Sequence, residues 1–228
     1  MCGRIANTLP QDAMARLFSA RPDNDLPAGP DYNLCPTEPL AVVRAGAGEA
    51  PRRLSAMRWG FLPSWYKTPT DGPLLINARA ETIAEKPAFR EACRQRRCLV
   101  PVSGFYEWHR AEGQKLPWYF SRADGAPLVL AGIWQDWGAG EDRQATVALV
   151  TTSANALMAP VHHRMPVVVE EGDWPLWLGE AGHGAAPLMR PAAEGVLRGW
   201  RVSSRVNSNR AAGPELIAPL VEDDPEPI

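Results

Sequence analysis

Lysine is nearly missing from this chain: only Lys67, Lys86 and Lys115 stand among 24 basic residues, the rest being arginine. Any anion-binding path must therefore be built almost entirely from guanidinium groups, which suit bidentate phosphate contacts; a GC-rich coding bias produces the same composition. Formal net charge is -2, which removes any global electrostatic case for nucleic-acid or membrane binding. There is no Walker loop, no GxGxxG and no HExxH, so a nucleotide cofactor or catalytic metal has no support, and no cofactor is expected. The four cysteines, Cys2, Cys35, Cys93 and Cys98, form no CxxC pair and no zinc-ligand spacing with the histidines. No apolar run is long enough to span a bilayer, and no charged segment leads into an apolar one as in a signal peptide. The chain reads as cytoplasmic, with reduced thiols.

What is present is a β-rich pattern. Leu40–Val43, Arg53–Trp59, Leu74–Arg79, Cys98–Val102, Gly104–His109, Trp118–Phe120, Leu128–Trp134, Thr146–Thr151, Met165–Val169 and Arg201–Ser203 read as strands. Helical spacing marks Thr8 to Ser19, Ala80 to Arg94, Pro175 to Leu178 and Ala185 to Leu197. A Pro/Asp/Gly-rich loop is expected from Arg21 to Asp31. Neither an internal repeat nor a long linker divides the 228 residues. The fold class expected is α+β, one domain over residues 1–220 with a mixed, mostly antiparallel, barrel-like sheet and peripheral helices, followed by an acidic tail over 221–228. Nine tryptophans suit such a core, and a few exposed ones could stack on bases.

Met1-Cys2-Gly3-Arg4 carries the most pointed chemistry. Removal of Met1 would leave Cys2 with a thiol and a free α-amine, whose reference pKa values are about 8.5 and about 7.7–8.0. Such a 1,2-aminothiol can form an imine with an aldehyde and close through sulfur to a thiazolidine. It can also attack an acyl carbon, with the amine as its own base. A small residue at a frayed terminus fits position 2 equally well. Glu107 stands in the aromatic run Phe105-Tyr106-Glu107-Trp108, on the strand face opposite Tyr106 and Trp108. Desolvation there favours its protonated form and suits proton transfer; a solvated edge-strand glutamate is the plain alternative. His162 and His163, before Arg164, suit acid/base work beside an anion or are two surface histidines. Asn77, closing a buried strand with Arg79, needs partners and fits a structural or a positioning role. Arg4, Arg79, Arg164 and Arg205 are the phosphate-contact candidates.

Seven short motifs then fall in one order. They are Met1-Cys2-Gly3-Arg4, Tyr32-Asn33-x-x-Pro36-Thr37, Trp59-Gly60-Phe61-x-Pro63-x-Trp65, Asn77-Ala78-Arg79-x-Glu81-Thr82, Gly104-Phe105-Tyr106-Glu107-Trp108, His162-x-Arg164-Met165-Pro166 and Val202-Ser203-x-x-Val206-Asn207. Together they resemble the SOS response-associated peptidase (SRAP) family of abasic-site processing proteins, over nearly the whole chain. The resemblance implies a monomer that binds single-stranded DNA at abasic sites in the DNA damage response and links Cys2 covalently to the ring-opened sugar. It implies Asn77 as the residue orienting the Cys2 amine or the sugar, Glu107 as the group moving protons, and His162 as proton donor or acceptor at the sugar oxygen. Arg4, Arg79 and Arg164 would hold flanking phosphates, Trp65 and Tyr66 would meet unpaired bases, and Asn33, Pro36 and Thr151 would line the pocket. Strand cleavage by β-elimination and self-removal of Met1 are the lyase and peptidase activities implied, with the nucleoid as the place of action. Cys35 departs from the family pattern, standing where a small residue is usual. The alternatives are an N-terminal nucleophile cysteine amidohydrolase, which needs neither Glu107 nor His162, and a noncatalytic Trp-rich binding module.

Overall fold

The chain opens with β1 (Ile5–Asn7), α1 (Gln11–Leu17), β2 (Ala20–Pro22) and β3 (Asp31–Leu34). The hairpin of β4 (Pro39–Arg44) and β5 (Arg52–Trp59) follows, then β6 (Asn77–Arg79) and α2 (Arg90–Gln95). A series of longer strands comes next: β7 (Arg97–Val102), β8 (Gly104–Ala111), β9 (Gln114–Arg122), β10 (Leu128–Trp137) and β11 (Gln144–Ser153). The chain finishes with β12 (Arg164–Pro166), α3 (Trp174–Leu178) and β13 (Leu197–Arg201). This computed structural model describes residues 2–111 and 113–220, so Met1 and the expected tail over 221–228 lie outside the described residues.

β11 closes a five-strand barrel. It pairs antiparallel with β10, which pairs with β7, then β4, then β5, and β5 returns to β11 in parallel through Arg58↔Thr146 and Trp59↔Val147. β12, β6 and β2 extend this sheet, while a second sheet runs in the order β13-β9-β8-β1-β3. Barrel residues alternate between two cores, as a period of two requires. Ala41, Val43, Leu99, Ala131 and Val150 pack with Phe18, Ala92, Trp174 and Trp177 from the helical side. Val42, Val100, Leu130, Val147 and Leu149 pack with Ile5, Phe105 and Phe120 of the second sheet. Burial on both faces explains why these strands read as continuous apolar runs.

The α+β, barrel-like class expected from the sequence is the class observed. The expected helix at Pro175–Leu178 is present as α3, the one from Thr8 is confined to Gln11–Leu17, and the stretches from Ala80 and Ala185 are cut shorter by proline and glycine. Pro87 disfavours helical geometry at Lys86, and the stretch from Ala80 turns irregularly so that only Arg90–Gln95 is α-helical. Pro187, Pro191 and Gly195 leave of 185–197 just a 3-10 turn at Ala186–Leu188. Inside the expected loop from Arg21, β2 pairs in parallel with β5. Among the described residues no helix is long and apolar enough to cross a membrane.

Gly104 opens β8 at a point where β9 leaves no room for a side chain. It pairs with Ala6, and a Cβ there would overlap the Phe120 carbonyl and the Tyr119 ring. Because the Phe120 obstacle is backbone, Gly104→Ala should lose about 1–3 kcal/mol of stability in urea unfolding.

Candidate active site

β1 delivers the N-terminus into the space between the barrel and the second sheet. Cys2 is buried there beside Ile5, Trp59 and Phe105. Its carbonyl accepts a hydrogen bond of 2.8 Å from Asn77 Nδ2. Asn77 owes its place to β6, which pairs in parallel with β11 at Asn77↔Leu149. The other end of the same amide, Oδ1, is buried without a partner among the described residues. Burial pushes the Cys2 thiol well above its ordinary range, and the negative charge of Glu107 adds to the effect. The resting sulfur is therefore a neutral thiol.

Glu107 is 4 % exposed and shares its strand face with Phe105, the face turned toward Cys2. Tyr106 points the other way, into a separate cluster with Tyr119, Val202 and Val206. His162 is half-buried before β12, and its Nδ1 accepts the backbone N–H of Arg164 at 3.0 Å. The same Nδ1 lies 3.3 Å from the Arg164 carbonyl oxygen, so the tautomer decides which of the two bonds forms, and the Arg164 backbone engages Nδ1 in either case. Burial lowers the His162 pKa, opposed by the nearby Glu107 charge and assisted by His163, stacked on it at 4.4 Å. Glu107 and His162 line one cleft of about 330 Å³ together with Gly3, Arg4, Trp108, Arg110, Lys115 and Asn207.

The expected DNA contacts divide into two groups. Arg4 lines the cleft, yet its Nη1 donates to Asn33 Oδ1 and, at 2.9 Å, to the Val206 carbonyl, and its guanidinium lies 5.8 Å from the Trp108 ring centre. Asn33 is buried and donates to the Ser208 and Ala211 carbonyls at 3.1 and 2.6 Å, so its amide is spent inside the protein. Arg164 is buried in a bidentate pair with Glu81 at 2.6 and 2.9 Å and donates to the buried Thr151 carbonyl at 2.7 Å. Arg205 pairs with Glu215. Facing outward are Arg79, the half-buried Pro36, and Trp65, 57 % exposed with Tyr66 edge-on to it at 6.4 Å. Cys35 is half-buried and donates to the Asn33 carbonyl. Sequence reasoning missed Arg110, Lys115 and Asn207 as cleft residues; the hairpin register of β8 on β9 was the signal available for the first two. No group of three or more His, Cys, Asp or Glu among the described residues could hold a metal ion.

The sequence matches the family described as SOS response associated peptidase (SRAP) over residues 1–209. The chain belongs to that family. It is 34% identical to the abasic site processing protein YoqW of Bacillus subtilis over 226 residues, covering 95% of this chain and 99% of the relative. The abasic site processing protein YoaM of the same organism is 33% identical, with 95% and 97% covered. A crystal structure of a Bacteroides thetaiotaomicron protein shares the fold, with a TM-score of 0.84 over 96% of this chain and all of that one at 22% identity.

Within this SRAP chain, the lowered pKa of His162 couples protonation to folding. The folded state disfavours the imidazolium, so the stabilisation is complete above the unfolded value of about 6.5 and is lost as pH falls below it. Thermal melts from pH 7.5 to 5 should therefore decline more steeply for the wild type than for His162→Gln. The second expectation concerns Arg164. Glu81→Gln removes the charged partner of a buried guanidinium and should cost about 1–3 kcal/mol in urea unfolding. Arg164→Lys should not be neutral either, because an ammonium cannot reproduce the fork.

Proposed function

We propose that the protein captures abasic sites in single-stranded DNA by covalent attachment through Cys2, after Met1 has been removed. The observation that carries this reading is the Asn77 hydrogen bond to the Cys2 carbonyl, next to a cleft lined by Glu107 and His162. The relatives' names supply the substrate class.

An abasic sugar is a cyclic hemiacetal in equilibrium with an open aldehyde. The Cys2 amine adds to the aldehyde carbon to give a carbinolamine, which loses water to form an imine. The thiol then adds across the C=N bond, sulfur to carbon and proton to nitrogen, and the five-membered ring closes. Because burial keeps the sulfur protonated, the amine acts first and the thiol follows. Asn77 fixes the carbonyl, which leaves the amine free to turn, and its unpartnered Oδ1 is suited to receive the amine N–H. Glu107 moves protons during dehydration and ring opening. Nε2 of His162 suits a hydrogen bond to a sugar oxygen, since Nδ1 is engaged by the Arg164 backbone. Loss of the 3′ phosphate from the same imine by β-elimination is the lyase branch. Removal of Met1 by the protein itself is the form its peptidase activity takes. Trp65, exposed on its loop, suits stacking on an unpaired base. The protein acts as a monomer on chromosomal DNA in the cytoplasm.

One experiment tests the reading. Protein whose N-terminus has been verified by mass spectrometry is incubated with single-stranded DNA containing one abasic site and run on a denaturing gel. The wild type should give a covalent adduct that is absent in Cys2→Ala and in protein retaining Met1. Glu107→Gln should slow adduct formation by about 10²–10⁴-fold and leave salt-sensitive DNA binding intact. Glutamine or peptide hydrolysis without an adduct would instead identify an N-terminal nucleophile amidohydrolase. Equal loss of binding and crosslinking in Glu107→Gln would make Glu107 structural.

A further inference from the structure

We infer that the β8–β9 hairpin carries a phosphodiester-binding site at the mouth of the cleft, formed by Arg110 and Lys115, which grips the DNA backbone beside the captured sugar. The inference deepens the proposed function and rests on it for the identity of the anion.

Three observations carry it. The hairpin register sets Arg110 directly opposite Lys115, and both are exposed. Like charges directly opposite each other destabilise a strand pair, so local folding gives no reason for this arrangement. Neither residue forms an ion pair among the described residues, whereas Arg44, Arg52, Arg122 and Arg143 each hold a carboxylate. Both line the same cleft as Glu107 and His162, where Arg4 adds a third positive charge and Glu107, the one acidic residue lining it among the described residues, is almost fully buried. Among the described residues the charged side chains exposed at the cleft mouth are thus cationic, in a chain of net charge -2. An anion laid across the hairpin would relieve the repulsion and bring charge-assisted hydrogen bonds from an ammonium and a guanidinium. The need for such a site is sharpened by Arg164, whose guanidinium is committed to Glu81 and Thr151. A single strand whose sugar enters the cleft presents a phosphodiester on either side of that sugar, which makes the strand backbone the anion of choice.

The test uses Cys2→Ala protein, so that binding is read without crosslinking, with fluorescence anisotropy on single-stranded DNA carrying no lesion. Arg110→Gln/Lys115→Gln is compared with Arg21→Gln/Arg90→Gln, two exposed positions that do not line the cleft. The hairpin pair should bind more weakly, with the slope of log K against log salt shallower by about 1.4, the value for two single-strand phosphate contacts. Its melting temperature should equal or exceed that of the parent, because a repulsion has been removed. The inference is overturned by an unchanged slope, by an equal loss in the control pair, by a lower melting temperature in the hairpin pair, or by failure of the parent to bind single strands. Failure of the two readings is distinguishable. A wild-type adduct with an unchanged slope sinks this site alone, and a changed slope with no adduct sinks the crosslinking reading alone.

Discussion

The pairing of β6 with β11 is the constraint on which the rest of the site depends. β11 has a ladder partner on each side along most of its length: β10 and then β12 on one, β5 and then β6 on the other. One strand therefore closes the barrel through β5, places Asn77 through β6 and places Arg164 through β12. Asn77 holds the carbonyl of Cys2, and the backbone of Arg164 holds the ring of His162. Two groups from distant parts of the chain thus take their positions from a single strand whose apolar side chains are buried in both cores.

Burial governs the protonation states in this frame. It raises the thiol of Cys2 and lowers the imidazole of His162, so both rest uncharged, while Glu107 biases each of them by its proximity. A neutral thiol and a neutral imidazole, both sensing the charge of Glu107, can exchange protons with a substrate without carrying fixed positive charge into the core. The cationic groups stand at the rim instead, where water lowers their mutual repulsion and a polyanion can reach them.

Much of the architecture was legible in the sequence, because strands with both faces covered announce themselves as apolar runs and Gly/Pro clusters punctuate them. The helices were harder. A helical spacing of small residues from Ala80 gave way to Pro87, and from Ala185 to two prolines and a glycine, local effects that outrank periodicity. The chemistry of Cys2 could be read from its position, but its partner Asn77, 75 residues away, could not be derived from spacing. Asn33 and Arg164 show the limit most clearly. Each is a polar residue in a recognisable motif, yet the carboxylate paired with Arg164 lies 83 residues away and the carbonyls that occupy the Asn33 amide lie 175 and 178 residues away, and no local pattern reports such partners. Arg110 and Lys115 passed unnoticed for the opposite reason: each looks like ordinary surface until the hairpin register makes them neighbours.

The contact between Arg4 and the Val206 carbonyl joins positions 202 residues apart, and Asn33 reaches Ala211 from the adjoining strand. The turn over Ser204–Asn207 and the residues just after it thus hold Arg4 and Asn33 at once, so any opening of this cover releases both side chains together and the N-terminal strand and its cover loosen as one cooperative unit.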